Sequence, residues 1–151
     1  MDPKNSVTSV GFQLKRITTE QFAILPESYD NKNQEISMGI GLNFSVDIEN
    51  NVVAVFVKVQ FEQQKSPFII VEIANHFHIE EVAWNSFCLD TEKVIIPKGF
   101  ATHLLVLTIG TIRGVLHGKT ENTEFNNFIL PTVNATELIN SDIELSIKSQ
   151  S

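Results

Sequence analysis

The pattern that most restricts this chain lies between positions 36 and 48. Ile36, Met38, Ile40, Leu42, Phe44, Val46 and Ile48 are apolar, while Ser37, Gly39, Gly41, Asn43, Ser45 and Asp47 between them are small or polar. Side chains alternate across a strand with period two, so this run predicts a long antiparallel strand with one buried face. A turn at Glu49-Asn50-Asn51 follows, then Val53, Val55, Val57, Val59 and Phe61 alternate against Lys58, Gln60 and Glu62. A second turn is expected over 62–67. The third strand, 68–79, is apolar on both faces, which places it centrally in the sheet or against another subunit.

An earlier strand is expected over 11–25. Its apolar parity flips at Lys15-Arg16 and again before Phe22, as it does where a strand carries a bulge or bend. The polar connection 26–34 reads as a crossing of the sheet rather than a tight hairpin. Residues 80–98 read as a loop with the anchors Val82, Trp84, Phe87, Ile95 and Ile96. A helix is expected over 100–117, with one stripe at Ala101, Leu105, Ile109, Ile112 and Leu116 and a second at Phe100, Leu104, Leu107 and Val115. One sheet covers only one stripe. The second stripe is therefore expected at a subunit interface, where Gly110 and Gly114 would allow close approach. Residues 121–131 read as an extended loop. Asn134 to Glu137 has the spacing of a capping box, so a last helix with a stripe at Ile139, Ile143 and Ile147 is expected. Strands followed by helices give an α+β fold: a four-stranded antiparallel sheet with a long helix and a shorter C-terminal helix on one face.

The 151 residues, 42% hydrophobic and 19% charged, suit one globular domain. The expected divisions are a flexible segment at 1–10, the domain at 11–148 and a tail at 149–151. A formal net charge of −7 argues against nucleic acid and against insertion at an anionic membrane, because both need clustered Lys and Arg. Cys88 is the single cysteine, which excludes a disulfide framework and suggests a reducing, cytoplasmic setting. The first ten residues lack a cationic start followed by an apolar run, so no signal peptide is expected.

No phosphate-cradling glycine loop, nucleophile elbow or paired-cysteine metal motif is present. His76 and His78 share one face of a strand, a spacing that can bind metal but has no third ligand nearby in sequence. Cys88 with His103 or His117 as base is the other catalytic possibility, against the ordinary role of a lone cysteine as a small buried hydrophobe. The expectation is a protein without catalysis, cofactor or metal. Eleven Phe stand beside one Tyr and one Trp. Trp84, Phe87, Phe125 and Phe128 fall in expected loops, where they are either anchors folded onto the core or walls of an exposed groove. Composition alone favours anchors.

Phe12-Gln13-Leu14-Lys15-Arg16-Ile17-Thr18-Thr19 resembles the opening strand of SecB, the bacterial export chaperone, and its relatives. Glu72-Ile73 with Phe77-His78-Ile79 is similar to that family's last strand. Arg113 matches the arginine of its long helix, and Phe125, Leu130-Pro131-Thr132-Val133-Asn134 and Leu138 resemble the segment before its final helix. The resemblance implies an ATP-independent holdase that binds unfolded or pre-secretory polypeptides in apolar grooves and assembles as a homotetramer, a dimer of dimers. It turns the loop aromatics into groove walls, with Phe22, Tyr29, Trp84, Phe87, Phe125 and Phe128 as client contacts. Phe100, Leu104, Leu107 and Val115 become the oligomer interface, and Glu72 with Ile70 a docking site for the translocase motor SecA. Two acidic positions of the family's first strand read Gln21 and Leu25 here. A chaperone that guards an antitoxin, and an adaptor for one folded partner, therefore stand beside the export reading.

Overall fold

The computed structural model describes residues 10–88 and 92–147. The tail expected at 149–151 and all but the last residue of the segment at 1–10 lie outside the described residues. Four strands, β1 (Phe12–Ile24), β2 (Ser37–Asp47), β3 (Val52–Gln63) and β4 (Ser66–Ile79), form one antiparallel sheet in the order β1-β4-β3-β2. β4 is therefore central, between β1 and β3, as its sequence predicts; its second face carries Ile70 and Ala74 together with Glu72, His76 and His78. The connection after β1 crosses to the far edge of the sheet, past a short 3-10 turn at Pro26–Ser28.

β2 and β3 pair without a slip from Ser37↔Glu62 to Asp47↔Val52. Gln64 and Lys65 close the β3–β4 hairpin with φ of 51° and 66°. Two left-handed residues match the strand twist, but non-glycine residues there cost about 1–2 kcal/mol each. The two parity flips in β1 are register shifts against β4, with Lys15 and Glu20 as the extra residues. A third shift, between Phe61 and Glu62 of β3, leaves Phe68 as the extra residue in β4. Phe68 and the adjacent Ile69 are then both fully buried, as a bulge permits.

On one face of the sheet, Val53, Val55, Val57, Val59 and Phe61 lie beside Ile69, Val71, Ile73, Phe77 and Ile79, all buried. The segment 80–98 is more ordered than its sequence suggests: it holds helix α1 (Glu81–Phe87) and strand β5 (Lys93–Ile96). Seven residues with only Trp84 and Phe87 buried are too few to display a helical period. Helix α2 (Lys98–Thr120) packs on β3 and β4. Its first turn is tied down from a distance, since the Lys98 backbone N–H donates to Asp142 Oδ1 at 2.8 Å.

The expected C-terminal helix is only one turn, α3 (Ala135–Leu138), packed on α2. Asn134 caps it by accepting the Thr136 N–H. The stripe Ile139, Ile143, Ile147 does not continue the helix. Ile143–Ser146 is strand β6, antiparallel to β5, and lies beside β2. Ile143, Leu145 and Ile147 pack against the core with period two.

Candidate functional site

The sequence offers two apolar stripes on α2, and the structure divides them differently. Ala101, Leu104, Leu105, Thr108, Ile109, Ile112, Leu116 and Thr120 are buried. Leu104 is 0% exposed, so this expected interface residue belongs to the chain's own core and cannot meet a second copy. Each fully buried Leu or Ile here contributes about 1.5–3 kcal/mol. Phe100 and Val115 are half-buried, and Leu107 is exposed. Beneath the helix, Asn75 of β4 donates from Nδ2 to the Thr108 and Thr111 hydroxyls at 3.4 and 2.9 Å. Those hydroxyls donate to the Leu104 and Leu107 carbonyls. The buried Asn75 Oδ1 has no partner.

The six expected groove aromatics do not form one wall. Tyr29, Phe125 and Phe128 come together with Phe61 and Phe68, with centroids 4.8–6.5 Å apart. Edge-to-face and tilted pairs in this range add about 0.5–1.5 kcal/mol each beyond their area. Phe125 sits in a short 3-10 turn (Glu124–Asn127) whose start Thr123 caps. Phe87 belongs to a different cluster near the start of α2, with Phe100 and Phe12. Trp84, Phe87 and Phe125 are 4%, 3% and 5% exposed and Phe128 is 9%. Four of the six rings are thus anchors of the folded chain. Phe22 is half-buried, with the Lys119 ammonium 5.4 Å from its ring centre.

The open apolar surface lies beside these rings. Gly110, Arg113, Gly114 and His117 of α2, with Phe128 and Ile129, line a groove of about 360 Å³. A side-chain carbon built on Gly110 or Gly114 would meet nothing within 4 Å. The glycines thus form a bare floor, with Phe128 reaching the groove from the aromatic cluster. Ile129 is 61% exposed. Arg113 spans floor and rim: its Nε and Nη2 donate to the Leu130 and Pro131 carbonyls, both at 2.9 Å. This fastens the segment after Phe128 to the helix. His117 Nε2 lies 3.2 Å from Glu121 Oε1. The volume is at the low end for binding pockets, and the lining is apolar with two polar groups. Of the groove residues, only Phe128 was picked out from the sequence as a client contact. The Gly110/Gly114 spacing and the position of Arg113 were the other legible signals.

A second exposed apolar area borders β1. Leu14 and Ile17 are 42% and 49% exposed, and Val106 and Leu107 of α2 are 51% and 40%. Ile17 pairs with Asn75, whose amide reaches Thr111, one turn beyond Leu107. Ile70 and Glu72 lie half-buried on the opposite sheet face, cross-strand from Ala23 and Gln21.

That outer face also carries His76 and His78. Thr18 Oγ1 is 3.1 Å from His76 Nε2, and the ring meets Phe56 edge-on. Burial, then the Arg16 guanidinium, holds His76 below its ordinary pKa, with Glu20 opposing. Burial pushes the Cys88 thiol up, which disfavours the thiolate a nucleophile needs. Among the described residues, no three His, Cys, Asp or Glu side chains gather as a metal site.

No protein-family model matches the chain, and no curated protein matches it. Among solved structures, one similar chain is a SecB-like chaperone of Mycobacterium tuberculosis in complex with a peptide from an antitoxin. It is 12% identical, with a TM-score of 0.49, over 82% of this chain and 91% of that one. Another is a protein of unknown function from Streptococcus agalactiae, 13% identical with a TM-score of 0.37, over 84% of this chain and all of that one.

Proposed function

We propose that this protein is an ATP-independent holdase that keeps extended, non-native polypeptide segments in the groove over Gly110 and Gly114. The observation that carries the reading is that groove: an apolar trough with a side-chain-free floor, held open by a helix and by a segment that Arg113 fastens to it. Glycine in a helix costs about 1 kcal/mol relative to alanine, so two at the same opening trade stability for space. An extended client places every second side chain on one face. One bulky apolar residue can then enter the trough while the client backbone stays at the rim. Each such contact is weak, and tight holding requires several grooves on one assembly acting through effective concentration.

The exposed strip of Leu14, Ile17, Val106 and Leu107 supports assembly of like chains, with Leu107 retained from the expected interface and Leu104 removed from it. No catalytic step is part of the proposal, and the residue resemblance to SecB and its relatives agrees with it.

The test dilutes a chemically unfolded, slow-folding protein into buffer without nucleotide and follows light scattering. The wild-type chain suppresses scattering at near-stoichiometric amounts, and Gly114→Leu, which fills the trough from its floor, loses most of that effect while keeping its helical circular dichroism. Suppression unchanged in Gly114→Leu puts the client site elsewhere. No suppression at several-fold excess rejects general holding and leaves the adaptor for one partner.

A further inference from the structure

The fixed charge in the groove is positive. Arg113 lines it, and no carboxylate does. The guanidinium has five N–H donors, and the two bonds it makes go to neutral carbonyls, Leu130 O and Pro131 O. Among the described residues, no carboxylate pairs with Arg113, so it faces no fixed counter-charge. His117 Nε2 has the Glu121 carboxylate beside it at 3.2 Å, which leaves Arg113 as the groove's fixed charge. In a chain of net charge −7, a half-buried arginine at an apolar trough is a local reversal of sign. Anchoring by two carbonyls also fixes the side chain, so little rotamer entropy remains to be lost when a third partner arrives.

Resting on the holdase reading above, we propose that the groove selects extended segments in which an Asp or Glu lies two positions from a bulky apolar residue, on the same face of the segment. Two residues of extended chain span about 7 Å. The apolar side chain then sits over Gly110 and Gly114 against Phe128 and Ile129, while the carboxylate accepts from the free donors of Arg113. Apolar walls weaken solvent screening, and charge-assisted bonds to guanidinium are about twice as strong as neutral ones. Clients rich in Lys or Arg around their apolar residues are repelled at the same point. The acidic remainder of the surface sets the opposite preference for long-range approach, so the groove acts on which segment is kept and not on how fast a chain arrives.

The experiment titrates the full chain, by calorimetry, with three unlabelled nonapeptides. They are identical around a central Phe except for Asp, Asn or Lys two positions after it. The Asp peptide binds about 5- to 20-fold more tightly than the Asn peptide, and the Lys peptide binds more weakly than either. The Asp advantage shrinks between low and physiological salt and disappears in Arg113→Gln. Equal affinity of the three peptides, or tighter binding of the Lys peptide, overturns the charge preference while leaving the groove as a client site. Binding of none of them overturns both. If Arg113→Gln fails to fold, the wild-type peptide series and its salt dependence still decide the question.

Discussion

The two faces of α2 are built on opposite principles. Toward the sheet it presents Leu104, Leu105, Ile109, Ile112 and Leu116, all at most 4% exposed. Away from it stand Gly110 and Gly114, over which nothing packs, with Leu107 and Val106 exposed nearby. The inner face gains stability from every atom it carries, whereas the outer one gains room from atoms it lacks. A helix with large residues on both faces would fold more firmly and close the groove. The difference teaches that apolar stripes on one helix are not equivalent, and that the smaller residues mark the surface that this chain itself leaves uncovered.

Substitutions break this contrast by different amounts. Leu104→Ala or Ile112→Ala removes buried side chain and leaves a cavity, and should cost about 2–5 kcal/mol in chemical denaturation. Arg113→Met removes two charge-assisted bonds to the segment behind Phe128. It should cost about 2 kcal/mol and raise amide exchange around Leu130 and Thr132. On the outer face the sign reverses. Gly110→Ala and Gly114→Ala should each raise stability by about 1 kcal/mol while client holding falls, so a denaturation midpoint and a scattering assay should move in opposite directions. Smallest for stability is Leu107→Ser, expected within about 0.5 kcal/mol. Sedimentation should nevertheless show weakened self-association if Leu107 meets a second copy, and an unchanged sedimentation coefficient would remove it from the interface.

Legibility in the sequence followed how local each signal is. β2 and β3 were readable because one face of each is polar. The bulges of β1 were readable for the same reason, since Lys15 and Glu20 interrupt a visible parity. The bulge at Phe68 was hidden because residues 67–71 are all apolar, and a slip between two apolar residues leaves no trace. Ile139, Ile143 and Ile147 satisfy a helical period, yet Leu145 between the last two satisfies the strand period, and pairing with β5 settled the matter. Composition favoured burial of Phe125 and Phe128 before the resemblance made them groove walls, but what buries them was unreadable for a different reason. Their cover comes from Tyr29, Phe61 and Phe68, which are at least 57 positions away (125 − 68). The floor of the groove was visible as two glycines four apart, but what stands beside it depends on where Arg113 fastens the later segment.

The strand order has a consequence for synthesis. β1 precedes β2 and β3 in the chain and its partner β4 follows both, with Phe12 pairing to Ile79 across 67 positions (79 − 12). At about 5–20 residues per second on a ribosome, Phe12 waits roughly 3–13 s before Ile79 exists, and Phe22, 49 positions before Val71 (71 − 22), about 2–10 s. β2, β3 and β4 can close as successive hairpins during that interval, while β1 remains without its partner strand. During its own synthesis the chain therefore exposes, for several seconds, a segment of the kind that its groove is proposed to hold.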